Sequence, residues 1–95
     1  RFKANTNNMI GLVYMHQRDF SLSFDYFERA KRFFESMNHI PDPHFAMLLS
    51  NMGIAAQAMK RHEEGKKLFE RSLEQMVTLY GEEDPKSLFL KNKIS

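Results

Sequence analysis

The stretch DYFERAKRFFESMNHIPDP, residues 25–43, contains a triplet that the chain uses twice. Phe27-Glu28-Arg29 returns as Phe69-Glu70-Arg71, a separation of 42 residues from one phenylalanine to the other. The Asp42-Pro43 pair that ends the stretch returns as Asp84-Pro85 at the same separation. A fixed period of this kind indicates that the chain repeats one supersecondary unit.

The same offset aligns further residues without a gap. Identical or similar residues pair as Ala4 with Ala46, Ile10 with Met52, Gly11 with Gly53, Leu12 with Ile54, Arg18 with Lys60, Phe34 with Met76, and Leu48 with Leu90. Because all these matches share one register, we predict two repeat units, residues 1–42 and 43–84. Residues 85–95 are predicted to form the first helix of a third unit or a capping helix.

Each unit is predicted to be a helical hairpin. Apolar residues spaced by three and four indicate helices over about 3–16 and 19–37 in the first unit. In the second unit they indicate helices from Pro43 to about residue 59 and, after a turn at residues 60–63, to about residue 79. Asp-Pro is a helix-start signal, since the carboxylate caps free amides and proline has no amide to leave unpaired.

The predicted fold is therefore all-α, with about five helices in antiparallel hairpins stacked as an α-α superhelix. The first helix is apolar on most of its circumference, so we expect it to be buried on two sides. Gly11 and Gly53, with Ala30 and Ser72, are predicted where paired helices approach closely. Gly81 is placed to end the fourth helix.

Composition excludes several classes of protein. Ninety-five residues with 42% hydrophobic content suit one small folded domain. The net charge of +2 comes from interleaved signs, which argues against a nucleic-acid or membrane-surface partner. Without cysteine, a signal segment or a membrane-spanning run, the expected location is cytoplasmic, with cytoskeletal association as one form of it. The chain begins without methionine, and we interpret it as a piece of a longer protein.

No catalytic chemistry is expected from the sequence. His62-Glu63 begins like a zinc-protease motif, but Lys66 stands where the second histidine is required. His39 and His44 flank the loop between the repeats, with Asp42 between them. Because there is no cysteine and no third well-spaced ligand, we interpret them as ordinary loop residues. We predict no enzyme activity, no metal and no cofactor.

The chain resembles the tetratricopeptide repeat family. Small and aromatic residues follow the family pattern in the first unit at Gly11, Tyr14, Ser23, Phe27 and Ala30, and in the second at Gly53, Gly65, Phe69 and Ser72, with Ala56 replacing the expected aromatic residue. The usual period is about 34 residues, and the longer period here is similar to the variety found in kinesin light chains. The resemblance implies a helical solenoid that binds proteins and has no enzymatic activity.

In that family the first helices of the repeats line a concave groove. Helical geometry places one set of side chains opposite the residues that face the partner helix. The predicted partner-binding groove consists of Asn5, Asn8, Leu12, Met15, His16, Met47, Ser50, Asn51, Ile54, Gln57 and Asn92. The carboxamides both donate and accept hydrogen bonds, which suits contact with a peptide backbone.

The leading hypothesis is a scaffold or adaptor segment that binds a protein or peptide partner in this groove, and neither nucleic acid nor membrane. It predicts that the chain continues into further repeats or packs in a larger complex. A second hypothesis is a structural brick in a cytoskeletal or ciliary assembly, with contacts through the convex face and the ends. A third is a regulatory repeat domain attached to a larger enzyme.

Overall fold

The computed structural model describes residues 2–37 and 42–94, with side chains described for 6–36 and 42–94. Five helices and no strands occur in these residues, which confirms the all-α prediction. They are α1 (Phe2–His16), α2 (Phe20–Met37), α3 (Pro43–Ala58), α4 (His62–Tyr80) and α5 (Pro85–Ile94). Every observed bound lies within about two residues of its expected position, because apolar spacing and capping residues both act locally.

Two helices begin at an aspartate followed by a proline. Asp42 Oδ1 accepts a hydrogen bond from the His44 amide at 2.7 Å, so the carboxylate caps α3. Asp84 Oδ1 accepts one from the Lys86 amide at 2.9 Å at the start of α5. The repeated Asp-Pro pair therefore has the same local structure twice, since a capped first turn satisfies amides that have no partner within the helix.

The two hairpin turns share one backbone conformation. Arg18 has a φ of 64° and donates its amide to the Met15 carbonyl at 3.0 Å, while the Asp19 amide donates to the Tyr14 carbonyl at 2.9 Å. The same two hydrogen bonds recur in the second unit around Lys60, whose φ is 65°, at 2.9 and 2.8 Å. This is the Schellman pattern, with a basic residue in the left-handed position that glycine usually occupies.

Gly81 ends α4, as the sequence predicts. Its φ of 96° with a ψ of 164° lies in a region that only glycine adopts readily, and its amide donates to the Val77 carbonyl at 2.8 Å. Ser87 Oγ donates to the Gly81 carbonyl at 2.8 Å. The glycine therefore turns the chain sharply, and the serine hydroxyl ties α5 back against the end of α4.

Both hairpins close on a glycine that faces a phenylalanine ring. A Cβ atom added to Gly11 would lie 2.6 Å from Phe27 Cε1, and one added to Gly53 would lie 2.8 Å from Phe69 Cε1. Both phenylalanines are fully buried. The predicted close approach is confirmed at these two positions, since any larger side chain would overlap the ring.

Helix α3 occupies the centre of the molecule. It packs extensively against both α2 and α4, and α5 packs against α4. The Phe34 ring of α2 stacks on the Phe45 ring of α3 at 5.2 Å between centroids, which joins the first hairpin to the second. Ser72 Oγ donates to the buried Ala46 carbonyl at 2.6 Å across the α3–α4 contact.

The expectation that α1 is buried on two sides is wrong for the described residues. It packs against α2 but meets α3 only at its edge. Met9 is 67% exposed and Val13 is 53% exposed, whereas Ala55, the equivalent of Val13 in the second unit, is fully buried. The apolar pattern of α1 indicates which residues could be covered, and no described helix covers them.

Candidate partner-binding groove

A cavity of about 370 Å³ opens between α3, α4 and α5. Its walls contain three residues that the sequence analysis assigned to a groove, Met47, Ser50 and Asn51. The remaining lining residues come from the last two helices: Met76, Pro85, Lys86, Phe89 and Leu90. The cavity has the concave form and mainly apolar lining that are typical of binding sites in proteins.

One face of α3 forms the first wall. Met47, Ser50 and Asn51 are spaced by three and four residues, so they project from the same side of the helix. Met47 is 54% exposed, and Ser50 and Asn51 are half-buried. Because other faces of α3 pack against α2 and α4, this is the face that the helix leaves open to the cavity.

Helix α5 forms the opposite wall. Phe89, which aligns with Met47 under the repeat offset, is 49% exposed, and Leu90 beside it is buried. At the cavity edge the Lys86 ammonium lies 4.5 Å from the centre of the Tyr80 ring and 3.6 Å from Asp84 Oδ1. These contacts hold Lys86 at the cavity edge, next to the apolar floor.

The cavity presents no carboxylate from its walls. Within the five helices, every Asp and Glu belongs to α2 or α4, and α1, α3 and α5 contain none. The polar groups that line the cavity are a hydroxyl, a carboxamide and an ammonium. Such a set can orient a bound chain through hydrogen bonds, while the apolar side chains supply the buried area.

Three of the predicted groove residues contribute to the core. Leu12 and Met15 pack, partly buried, against the cluster that joins α2 and α3. Ile54 packs in the same way against the cluster formed by α3, α4 and α5. Their side chains therefore support the helices behind the groove face.

The carboxamides and the histidine of the predicted set are more dispersed. Asn8 is half-buried, and its Oδ1 atom is shielded from solvent without a hydrogen-bond partner among the described residues. Gln57 is half-buried beside Gly65, while His16 is exposed in the last turn of α1. Asn92 is exposed on α5. The Asn5 side chain lies outside the described residues.

Sequence reasoning missed five residues that line the cavity: Met76, Pro85, Lys86, Phe89 and Leu90. One of them could have been found, since the repeat offset carries Met47 to Phe89. The α4 contribution, Met76, had no such signal, because its place depends on how α5 packs against α4.

A second depression, of about 280 Å³, lies beside α2 and the α3–α4 turn. Its charged residues have partners close by in the chain: Asp25 with Arg29 at 3.4 Å, Glu28 with Lys31 at 3.6 Å, and Arg61 with Glu64 at 3.8 Å. Because these charges pair along the surface, they do not converge on a common point as ligand-binding groups do.

The residues considered as metal ligands are only partly described. His44 Nδ1 lies 3.4 Å from Asp42 Oδ1, and His39 lies outside the described residues. In the part of the chain that the structure covers, no three His, Asp or Glu side chains gather as a metal site.

Comparison with known proteins gives no match, either to a model of a protein family or to an individual curated protein. None of the described helices combines the length and apolar character that crossing a membrane requires. What is known of this chain therefore comes from its structure: five helices, two hairpins with the same internal contacts, and a cavity between α3, α4 and α5.

Proposed function

We propose that the chain is a protein–protein interaction module without enzymatic activity, and that it is a segment of a longer tetratricopeptide-like scaffold or adaptor. The repeats would be residues 1–42 and 43–84, with residues 85–95 beginning a third unit or capping the second. The recurrence of the glycine–phenylalanine contact and of the hairpin turn at the repeat offset supports this division. The proposed setting is cytoplasmic.

The cavity between α3, α4 and α5 is the observation on which this function rests. Its volume of about 370 Å³ is at the lower end of the range for ligand pockets, about 300–1,000 Å³. A large apolar side chain of a bound peptide would pack between Met47 and Phe89. The Asn51 carboxamide and the Ser50 hydroxyl are placed to bond the peptide backbone next to that side chain.

The experiment begins with peptides selected from a random displayed library against the purified chain. For a selected peptide, Met47→Ala and Asn51→Ala should each weaken binding about tenfold, or about 1.4 kcal/mol, by titration calorimetry. Glu74→Ala is the matched control, because Glu74 is exposed on α4 and does not line the cavity. Circular dichroism checks that each variant keeps its helical content.

The result that opposes this proposal is equally specific. Selected peptides that bind with unchanged affinity to Met47→Ala and Asn51→Ala would place the binding surface elsewhere. Loss of binding in Glu74→Ala would indicate that the peptide binds on the side formed by α2 and α4.

A second candidate function is a structural role within a large assembly, cytoskeletal or ciliary, through the convex face and the ends. The exposed apolar side chains Met9 and Val13 on α1, and Leu22 on α2, favour it. They lie away from the cavity and would be covered by a neighbouring protein in an assembly. Peptide binding that depends on these three residues, and not on Met47, would decide for this role.

A further inference from the structure

The chain contains sulfur only in methionine, since it has seven methionines and no cysteine. Among the described side chains, Met9 is 67% exposed and Met47 is 54% exposed. The remaining described methionines pack in or against the two core clusters: Met15, Met52, Met59 and Met76. Because oxidants reach exposed side chains first, peroxide should act mainly on Met9 and Met47.

Met47 combines this exposure with a place in the cavity. Met47 and Met76 are the lining residues that contain sulfur, and Met76 is only 5% exposed. The side chains of Pro85, Phe89 and Leu90, which line the cavity from α5, contain only carbon and hydrogen. The Met47 sulfur is therefore the atom through which a mild oxidant can change the cavity.

We propose that Met47 is a site of reversible oxidation to the sulfoxide, and that this modification lowers the affinity of the cavity for a bound peptide. The sulfur lone pair attacks one oxygen of hydrogen peroxide, and the S–O bond forms as the O–O bond breaks. The departing hydroxide takes the proton of the transferred oxygen and leaves as water, so sulfur loses two electrons and peroxide gains them. Methionine sulfoxide reductases reverse the change with thiols as reductant, releasing water and a disulfide.

Oxidation converts an apolar part of the cavity wall into a polar one. A bound apolar side chain would cover the new oxygen, which costs free energy unless the oxygen accepts a hydrogen bond. The donors on the same face of α3 are the Ser50 hydroxyl and the Asn51 carboxamide, and these are the groups proposed to bond the peptide backbone. Either outcome weakens binding, and we expect the dissociation constant of the peptide to rise about tenfold.

Met9 provides the matched comparison within the chain. It is more exposed than Met47, and it lies on α1, outside the cavity lining. It should oxidise at least as fast as Met47, but its sulfoxide should leave the peptide affinity unchanged. Exposure therefore predicts where oxidation occurs, and position relative to the cavity predicts whether oxidation affects binding.

The first test maps oxidation of the whole chain by mass spectrometry after treatment with dilute hydrogen peroxide. Met9 and Met47 should gain oxygen severalfold faster than Met52 and Met76. A saturating peptide whose binding depends on Met47 should slow the oxidation of Met47 and not that of Met9. If Met47 reacts as slowly as the buried Met52, the proposal is wrong.

The second test measures peptide affinity by titration calorimetry before and after peroxide treatment. The dissociation constant should rise about tenfold in the unsubstituted chain and equally in Met9→Leu. In Met47→Leu, the dissociation constant should be the same before and after peroxide treatment. Reductase treatment of the oxidised chain should restore the original affinity, and circular dichroism checks that helical content is kept throughout.

This regulation depends on the proposed function, because it acts on the same cavity, but the two fail in different ways. Selected peptides that bind equally well to Met47→Ala would refute both. Binding that depends on Met47, yet stays unchanged when mass spectrometry shows that Met47 is oxidised, would refute the regulation alone. An equal loss of affinity in peroxide-treated Met47→Leu would also refute it, because the effect would then come from another methionine.

Discussion

The two hairpins of this chain have the same internal contacts but different surroundings. In both, a glycine of the first helix faces a buried phenylalanine of the second, and the turn passes through a basic residue with positive φ. Helix α3 of the second hairpin is held between α2 and α4. Helix α1 of the first hairpin packs on α2 and has only a small contact with α3. Val13 is consequently exposed where the equivalent Ala55 is buried.

This difference separates two sources of stability. Contacts inside a hairpin depend on its own sequence and recur with the repeat. Burial of the outer face depends on whether a neighbouring helix is present. In stacked repeats, total stability is approximately the sum of these two terms. The variants below compare the same contact in a helix held on both sides and in one held on one side.

The largest expected effect is loss of the buried ring. Phe69→Ala and Phe27→Ala should each lower the free energy of unfolding by about 3–5 kcal/mol, a large share of the ~5–15 kcal/mol typical of a domain. We expect the greater loss of stability at Phe69. Helix α3 is packed against α2 and α4, so it cannot easily move to fill the space that the deleted ring leaves. Urea unfolding followed by circular dichroism measures both values.

The half-exposed Phe89 is the control for this comparison, and Phe89→Ala should lower stability by about 1 kcal/mol or less. A greater loss of stability at Phe27 than at Phe69 would contradict this explanation. It would mean that the packing of α1 or α3 against neighbouring helices does not limit how the structure adjusts to the deleted ring.

Filling the glycine positions should have the next largest effect. Gly53→Ala should destabilise by about 1–2 kcal/mol, because its Cβ would overlap the Phe69 ring and the packing of α2 and α4 against α3 restricts the movement of that helix. Gly11→Ala creates a slightly shorter contact with Phe27, 2.6 Å against 2.8 Å. Its cost should nevertheless be smaller, since α1 can shift outward.

A double-mutant cycle tests the cause of this loss. Combining Gly53→Ala with Phe69→Leu should cost less than the sum of the two single variants, since a smaller side chain leaves room for the new methyl group. Strict additivity would mean that the loss at Gly53 does not arise from the ring.

The smallest effect is expected at the hairpin turns, and it is a gain. Arg18 and Lys60 have φ values of 64° and 65°, a conformation that is unfavourable by about 1–2 kcal/mol for residues other than glycine. Glycine removes this strain, but it also gives the unfolded chain more conformational freedom, and losing that freedom on folding costs about 0.5–1 kcal/mol. Lys60→Gly and Arg18→Gly should therefore each stabilise the fold by up to about 1 kcal/mol, seen as a higher melting temperature.

Lys67→Gly is the matched control, because Lys67 is exposed in the middle of α4. There glycine should destabilise by about 1 kcal/mol. Turns that differ in response would indicate that their backbone conformations are less alike than the shared hydrogen bonds imply.

The positions of the helices could be predicted because their signals are local. Asp42 and Asp84 cap helices in the way that their sequence context indicates, and Gly81 ends α4 through a φ that other residues avoid. The close approach at Gly11 and Gly53 was predictable as well, since a small residue recurs at the repeat offset, and the structure shows that each glycine faces a phenylalanine ring.

The candidate site could be predicted only on the side of α3. Met47, Ser50 and Asn51 follow from helical spacing, and the structure brings them to one cavity. Leu12, Met15 and Ile54 were placed on the same face by the same rule, yet they pack against core clusters. Helical spacing gives the angle of a side chain around its helix and does not specify how far a neighbouring helix extends over it.

The amino-acid sequence alone determined the elements of this protein: five helices, their limits, and the close approach of paired helices at Gly11 and Gly53. These depend on capping, on backbone preference and on residues that meet across one turn, all of which act over short distances. Only the tertiary structure decided which apolar faces are covered, leaving Met9, Val13 and Leu88 exposed and opening the cavity beside Phe89. Whether a side chain is buried depends on the neighbouring helices, and the order of residues within one helix does not specify where those helices lie.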